Sequence, residues 1–274
     1  MTTTLRPTAP LQQSADGAKS RTYDVCVNSR PVGSIALATH KVFGPEVCQV
    51  MDLRIAEPDR RRGRGTVAAL AAEEVARGWG CRRIEATVPA DATAALRLAT
   101  ALGYVERNRT MAKPLPVEAP ALPEGTEWRP MTEDEYGPWL VEKVAAYTRD
   151  WVERGVPEAQ ARAKSEADHL RFLPQGLATP DTWLSVLTSG GARVGTLWVA
   201  LEGESGFVYR VEVDEEHRGR GHGRSLMLAA EAQTRAAGHH RIGLNVFAGN
   251  TPALRLYESL GYEPTSYYLY KPLL

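Results

Sequence analysis

Arg218-Gly219-Arg220-Gly221-His222-Gly223-Arg224 is the segment of this chain best suited to hold an anion. Alternating glycines let main-chain amides converge, because glycine tolerates positive φ and close approach by a ligand. The interspersed arginines add charge that suits a phosphate. A strand-like run, VYRVEV, enters the segment, and an amphipathic run, SLMLAAEAQTRAAG, leaves it. A strand, a turn and a helix start aim backbone N–H groups at an anion. Two familiar phosphate loops are excluded by spacing. No Lys-Ser or Lys-Thr follows the glycines, so GxxxxGK[ST] is absent, and glycines at 219, 221 and 223 do not fit GxGxxG. The competing reading is a glycine-rich turn flanked by solvated arginines.

A second element follows. RIGLNVFAGN is strand-like and ends in the turn signal Gly249-Asn250. TPALRLYESLG then reads as a helix, with Pro252 in its first turn and Gly261 at its stop.

Arg218-x-x-Gly221-x-Gly223, preceded by Val213, resembles the acetyl-coenzyme A loop of the GNAT superfamily of N-acetyltransferases, [RQ]-x-x-G-x-[GA]. Asn250, Ala253, Tyr257, Gly261 and Tyr262 are similar to that family's second signature, in order and at its spacing. The resemblance covers residues 126–274. It implies an α/β (α+β) fold: a mixed, mostly antiparallel, splayed sheet flanked by helices. It also implies acetyl-coenzyme A as cosubstrate, with no metal. The pyrophosphate would lie on the amides of Arg218, Gly219, Arg220, Gly221, His222, Gly223 and Arg224. Val211 and Val213 would pair with the pantetheine amides as an added strand does, and Asn250 would complete the cofactor-binding set. Tyr257 would protonate, or donate a hydrogen bond to, the departing thiolate. Glu212 on the entering strand is the candidate base, with Tyr209 the weaker one.

The chain also contains itself twice. Residues 53–115 align without a gap on 211–273 at an offset of 158, with roughly two-fifths of positions identical. Arg60, Gly63 and Gly65 fall on Arg218, Gly221 and Gly223, and Lys113-Pro114-Leu115 on Lys271-Pro272-Leu273. So long a period means two domains rather than a solenoid. The expected division is a degenerate GNAT-like domain over 1–113, a Pro-rich linker over 114–125, and a complete catalytic domain over 126–274. Within the last, TEWRPMT reads as an opening strand, two helical stretches follow, and TWLSVLTSGGARVGTLWVALEGESGFVYRVEV reads as three strands. The first half lacks room for both helices, carries Ala92 opposite Asn250 and Ala99 opposite Tyr257, and is expected to be catalytically silent. Its first twenty residues are expected to be disordered.

Equal numbers of acidic and basic residues give zero net charge, which disfavours nucleic acid and acidic membranes as partners. No stretch approaches 18 apolar residues, and a cytoplasmic protein is expected. Cys26, Cys48 and Cys81 are too dispersed for a disulfide framework or a zinc site, and read as small core residues. Trp139, Tyr147 and Trp151 mark one helix face, either core or acceptor pocket; Glu166, Asp168 and His169 read as a solvated helix face. No GxSxG elbow supports hydrolase chemistry.

The function expected is direct acetyl transfer to a primary amine of a small molecule by the C-terminal domain, as monomer or homodimer. Two alternatives stand beside it: a non-catalytic coenzyme A-sensing scaffold, and a transferase using another acyl group or a protein N-terminus. The layout is similar to that of mycothiol synthases, yet no residue pattern selects an acceptor.

Overall fold

The computed structural model describes residues 2–118, 120–153 and 155–273. Its strands and helices, in order, are β1 (Thr3–Pro7), β2 (Gln12–Gln13), β3 (Lys19–Val27), β4 (Arg30–His40), β5 (Gly44–Ile55), α1 (Arg64–Gly78), β6 (Arg83–Pro89), α2 (Thr93–Ala101) and β7 (Val105–Pro114). There follow β8 (Thr126–Pro130), α3 (Glu133–Val152), α4 (Glu158–Phe172), β9 (Thr182–Ser189), β10 (Ala192–Glu202), β11 (Ser205–Val213), α5 (His222–Ala236), β12 (Arg241–Phe247), α6 (Thr251–Ser259) and β13 (Glu263–Pro272). From α1 to β7, each element of the first half recurs 158 residues later, as α5, β12, α6 and β13, as the sequence repeat requires.

Two compact units form, one of residues 1–109 with 265–274, the other of residues 110–264. These do not coincide with the contiguous halves of the sequence: each unit takes its last strand from the other half. In the first unit β13 lies antiparallel to β6, and Leu269 and Leu273 enter a core of Ile35, Leu37, Cys48 and Ile84. In the second unit Met111 of β7 enters a core of Leu197, Leu226, Met227 and Leu244. The repeat shows the exchange through one ion pair. Lys271 reaches buried Glu73 at 2.7 Å in the first unit, and Lys113 reaches buried Glu231 at 2.9 Å in the second. Lys113 and Lys271 are repeat equivalents, as are Glu73 and Glu231, so each lysine pairs with the glutamate of the opposite half.

Each unit has a mixed sheet in which antiparallel neighbours dominate. β9–β10–β11 is the meander read from the sequence, its first turn formed by Gly190 and Gly191 with φ of 57° and 81°. α3 and α4 belong to the second unit, before β9. A capping box between Thr132 and Glu135 starts α3, and Arg129 clasps Glu135 with two hydrogen bonds. Buried Ser165 on α4 donates to the Val144 carbonyl of α3 at 2.9 Å, fastening the two helices.

The N-terminal residues correct the expectation of disorder. β1 pairs with β3 from Thr3 to Pro7, Arg6 reaches Asp24 at 2.8 Å, and Leu5 packs on the first unit's core. Five alternating residues suffice there because a neighbouring strand supplies their hydrogen bonds.

Candidate active site

One irregularity in β11 creates the site. Trp198 of β10 faces Arg210 and Val199 faces Val208, so Tyr209 is an extra, bulged residue. A bulge bends its strand and ends local pairing. Accordingly, β11 runs parallel to β12 only from Gly206 to Val208, and beyond the bulge it leaves β12. The first unit repeats the feature. Met51 is bulged between Val50 and Asp52, and β5 pairs with β6 only as far as Val50.

The exposed edge has a defined polarity. Asp214 N–H donates to Val194 O at 3.0 Å, which makes that pair hydrogen-bonded. Such pairs alternate with non-bonded ones along an antiparallel ladder. Glu212, opposite Thr196, therefore turns its backbone toward β10, while Val211 and Val213 turn theirs away from β10, into the splay.

The glycine-rich segment follows a short 3-10 turn at Glu215–His217. Gly219 and Gly221 have φ of 76° and 86°, and Gly221 is the N-cap residue of α5. The ends of the anticipated amide row are already occupied: Arg218 N–H donates to Glu215 O at 3.3 Å, and Arg224 N–H to Gly221 O at 2.9 Å. Among the described residues that leaves the amides of residues 219–223 without a partner at this helix start. The arginine side chains divide similarly. Arg218 Nε bonds Val213 O at 3.3 Å and Arg224 Nη2 bonds Ser259 Oγ at 2.6 Å, whereas Arg220 is exposed without a partner among the described residues. His222 faces His217, ring centroids 6.1 Å apart. Gly223 answers a packing need, since a Cβ there would lie 3.2 Å from Leu256 of α6. Asn250 caps α6 by accepting from Ala253 N–H at 3.3 Å.

Tyr257 on α6 is buried beside Tyr262, and no described residue bonds its hydroxyl. Burial pushes the phenol up to about 12, with Arg210 opposing the rise. Glu212 is paired with Lys143 of α3 at 2.6 Å and with Arg210 at 3.4 Å. Burial raises its carboxyl, but the Lys143 hydrogen bond and the two positive charges outweigh this and hold it below the usual range. Tyr209 donates to Glu202, and its phenol is raised by burial and by that carboxylate.

Lys143 and Arg210 were not singled out by sequence reasoning, and His169 was read only as part of a solvated helix face. Lys143 had a signal: it lies between Trp139, Tyr147 and Trp151 at intervals of four, so it shares their face. Trp139 and Trp151 are buried, as is Lys143. His169 is buried too, which corrects its reading as part of a solvated face; it continues a stripe of Ala161 and Ser165 at the same interval. In the first unit Ala99 stands at the tyrosine position, Ala92 offers no cap, and Arg61 has φ of 57° where the second unit has Gly219.

The acetyltransferase (GNAT) family model matches residues 3–104 and 136–262. The chain belongs to this family. It is an N-acetyltransferase by family, built as a tandem of two such folds. A mycothiol acetyltransferase of Thermobispora bispora is 34% identical over 215 residues, covering 73% of this chain and 68% of that protein. The uncharacterized N-acetyltransferase YycN of Bacillus subtilis is 31% identical over 151 residues, 53% of this chain and 96% of its own. A GCN5-related N-acetyltransferase from Sphaerobacter thermophilus superposes with a TM-score of 0.58 at 20% identity, over 92% of this chain and 80% of that one. A tandem GNAT protein from the clavulanic acid biosynthesis pathway gives 0.50 at 20% identity, over 96% and 85%. No helix among the described residues is long and apolar enough to cross a membrane.

Proposed function

We propose that the second unit transfers an acetyl group from acetyl-coenzyme A directly to a primary amine of a small molecule in the cytoplasm. The observation that carries this reading is the junction of a splayed edge and a helix start. Val211 and Val213 turn their backbone groups into the splay, where the Val213 carbonyl accepts from Arg218 Nε and its N–H faces outward, and the amides of 219–223 follow within a few residues. An extended amide-bearing arm can add to the first as a strand does, while its diphosphate takes the second. The residues fit such a molecule.

The chain's own groups then have distinct tasks. The open amides and Arg220 fix the diphosphate, and charge-assisted bonds there orient the thioester. A backbone N–H at Val213 faces the carbonyl as it becomes an oxyanion, a contribution of about 2.7–4 kcal/mol in comparable sites. Tyr257, protonated at neutral pH, faces the departing sulfur as a donor. Glu212, already neutralised by Lys143, serves the acceptor side as a fixed charge more readily than as a base. The first unit, with Ala99 in place of the tyrosine, is silent in this reading.

An acceptor related to mycothiol is a second reading, favoured by the name of a relative that matches 73% of the chain. Calorimetry with acetyl-coenzyme A, followed by thiol release in the presence of primary amines, tests the proposal. Heat of binding and amine-dependent thiol release are expected; binding without thiol release from any amine would leave only the sensing scaffold.

A further inference from the structure

We propose that His169 of α4 is the base that removes the proton from the acceptor amine, using its Nε2 atom. This rests on the acetyltransferase reading above and adds a catalytic residue to it.

The first support is the tautomer. His169 Nδ1 lies 2.7 Å from the Ser165 carbonyl oxygen, which can only accept, so Nδ1 carries the proton. The neutral ring then has its lone pair on Nε2, the form a base requires. No described residue bonds Nε2. Ser165 is itself fully buried and fastened to Val144 of α3, so the ring stands on a fixed turn.

The second support is position. The His169 ring lies 5.7 Å from Trp198, which stacks at 4.8 Å on Tyr209, the bulged residue that opens the splay. It also meets Tyr147 at 6.1 Å; Tyr147 meets Trp151, and Trp151 meets Phe247 at 5.4 Å. Phe247 is the last residue of β12, the other lip of the splay. An aromatic wall thus links His169 to both strands that part.

The charges around the ring favour reversible protonation. Asp168 on α4 is held by Lys164 and by the Tyr147 hydroxyl at 3.3 Å. From β11, Arg210 is tied to Asp150 of α3 at 3.6 Å and to Glu212, which Lys143 of α3 neutralises. Burial lowers the His169 pKa below 6.5 and Arg210 lowers it further, against the Ser165 carbonyl and Asp168. Arg210 also acts on Tyr257 in the lowering sense. One guanidinium is therefore within electrostatic reach of both proposed proton-transfer residues.

The step balances as follows. The amine nitrogen bonds to the thioester carbonyl carbon and gives a proton to His169 Nε2. The carbon–sulfur bond breaks, and its electron pair leaves with the sulfur, which takes a hydrogen bond and finally a proton through Tyr257. Imidazolium and tyrosine return to their starting states by exchange with water, leaving an amide and a thiol.

Two measurements test this on the full-length protein. In the first, His169→Gln is compared with wild type for acetyl-coenzyme A binding and for thiol release with phenethylamine, putrescine, glucosamine and glycine. Turnover lower by about 10²- to 10⁴-fold is expected, with binding unchanged and the acidic limb of the wild-type pH profile abolished. In the second, nitrogen NMR of the wild-type imidazole is expected to show the Nδ1–H tautomer and a midpoint below 6.5. If the variant does not fold, this measurement decides. Retention of the acidic limb in His169→Gln, or an Nε2–H tautomer in the wild type, overturns the assignment. Wild-type turnover matched by His169→Gln defeats the base alone. A wild type that binds acetyl-coenzyme A without releasing thiol to any amine defeats the transferase reading, and the base with it.

Discussion

Tyr257→Phe isolates the hydroxyl. The ring stays in the second unit's core with Tyr262, and no described residue loses a hydrogen bond, so stability should change little. The structure also sets the size of the catalytic effect. With its pKa pushed up to about 12 by burial, the phenol is a weaker acid than a free thiol at about 8.5, so complete proton transfer to sulfur is uphill by about 5 kcal/mol. In the proposed mechanism Tyr257 therefore acts chiefly by donating a hydrogen bond to sulfur as its charge grows. Such a bond to a charged group contributes about 1.5–3 kcal/mol, which is a loss of about 10- to 150-fold in kcat on removing it. Thiol release at saturating amine and acetyl-coenzyme A measures kcat, and calorimetry measures Kd. The wild-type rate should stay level on the alkaline side through pH 10, because the phenol titrates only near 12. A loss under about 3-fold would remove Tyr257 from the mechanism. An alkaline limb between pH 8 and 9 that vanishes in Tyr257→Phe would refute the hydrogen-bond argument.

Two further predictions concern the scaffold. Lys113→Met removes the cation from the Glu231 carboxylate, whose side chain is 2% exposed and which keeps the Tyr262 hydroxyl at 3.2 Å, and should cost about 3–5 kcal/mol in urea unfolding; adding Glu231→Leu should recover most of this, and a single-variant loss under about 1 kcal/mol would contradict the pairing. Glu135 is held at about 2, first by the hydrogen bond from Arg129 and then by its contacts to Thr132, well below its ordinary value of 4.5. Its folded pKa is depressed, so its stabilisation is present above about pH 4.5 and is lost as pH falls toward 2. Since the pair is largely solvent-facing, Glu135→Gln should cost only about 1 kcal/mol at pH 7 and nothing below pH 2, read from unfolding midpoints.

Much of this protein was legible from local pattern. Strand–turn–helix chemistry at Val213–Ser225, the Gly190-Gly191 hairpin, the helices beginning near Thr132 and Pro157, and the doubling at an offset of 158 all depend on residues close in sequence or on direct repetition. Each is set by φ preferences, capping and hydrophobic period, which a single chain displays. The family followed from the same residues.

Other features depended on partners distant in the chain. Nothing local says that Lys113 meets Glu231 instead of Glu73, because both glutamates stand in equivalent helices and the choice is made by which sheet β7 and β13 complete. The bulge at Tyr209 exists only relative to β10, since a bulge is a mismatch between two strands. Likewise Glu212 reads as a free carboxylate until Lys143 is brought to it across the fold, and His169 reads as solvated until α4 is laid against α3 and Trp198. Sequence thus determined which elements form and the family they belong to; the tertiary arrangement decided the electrostatic surroundings and direction of each candidate group, because those depend on burial and on neighbours that only folding supplies.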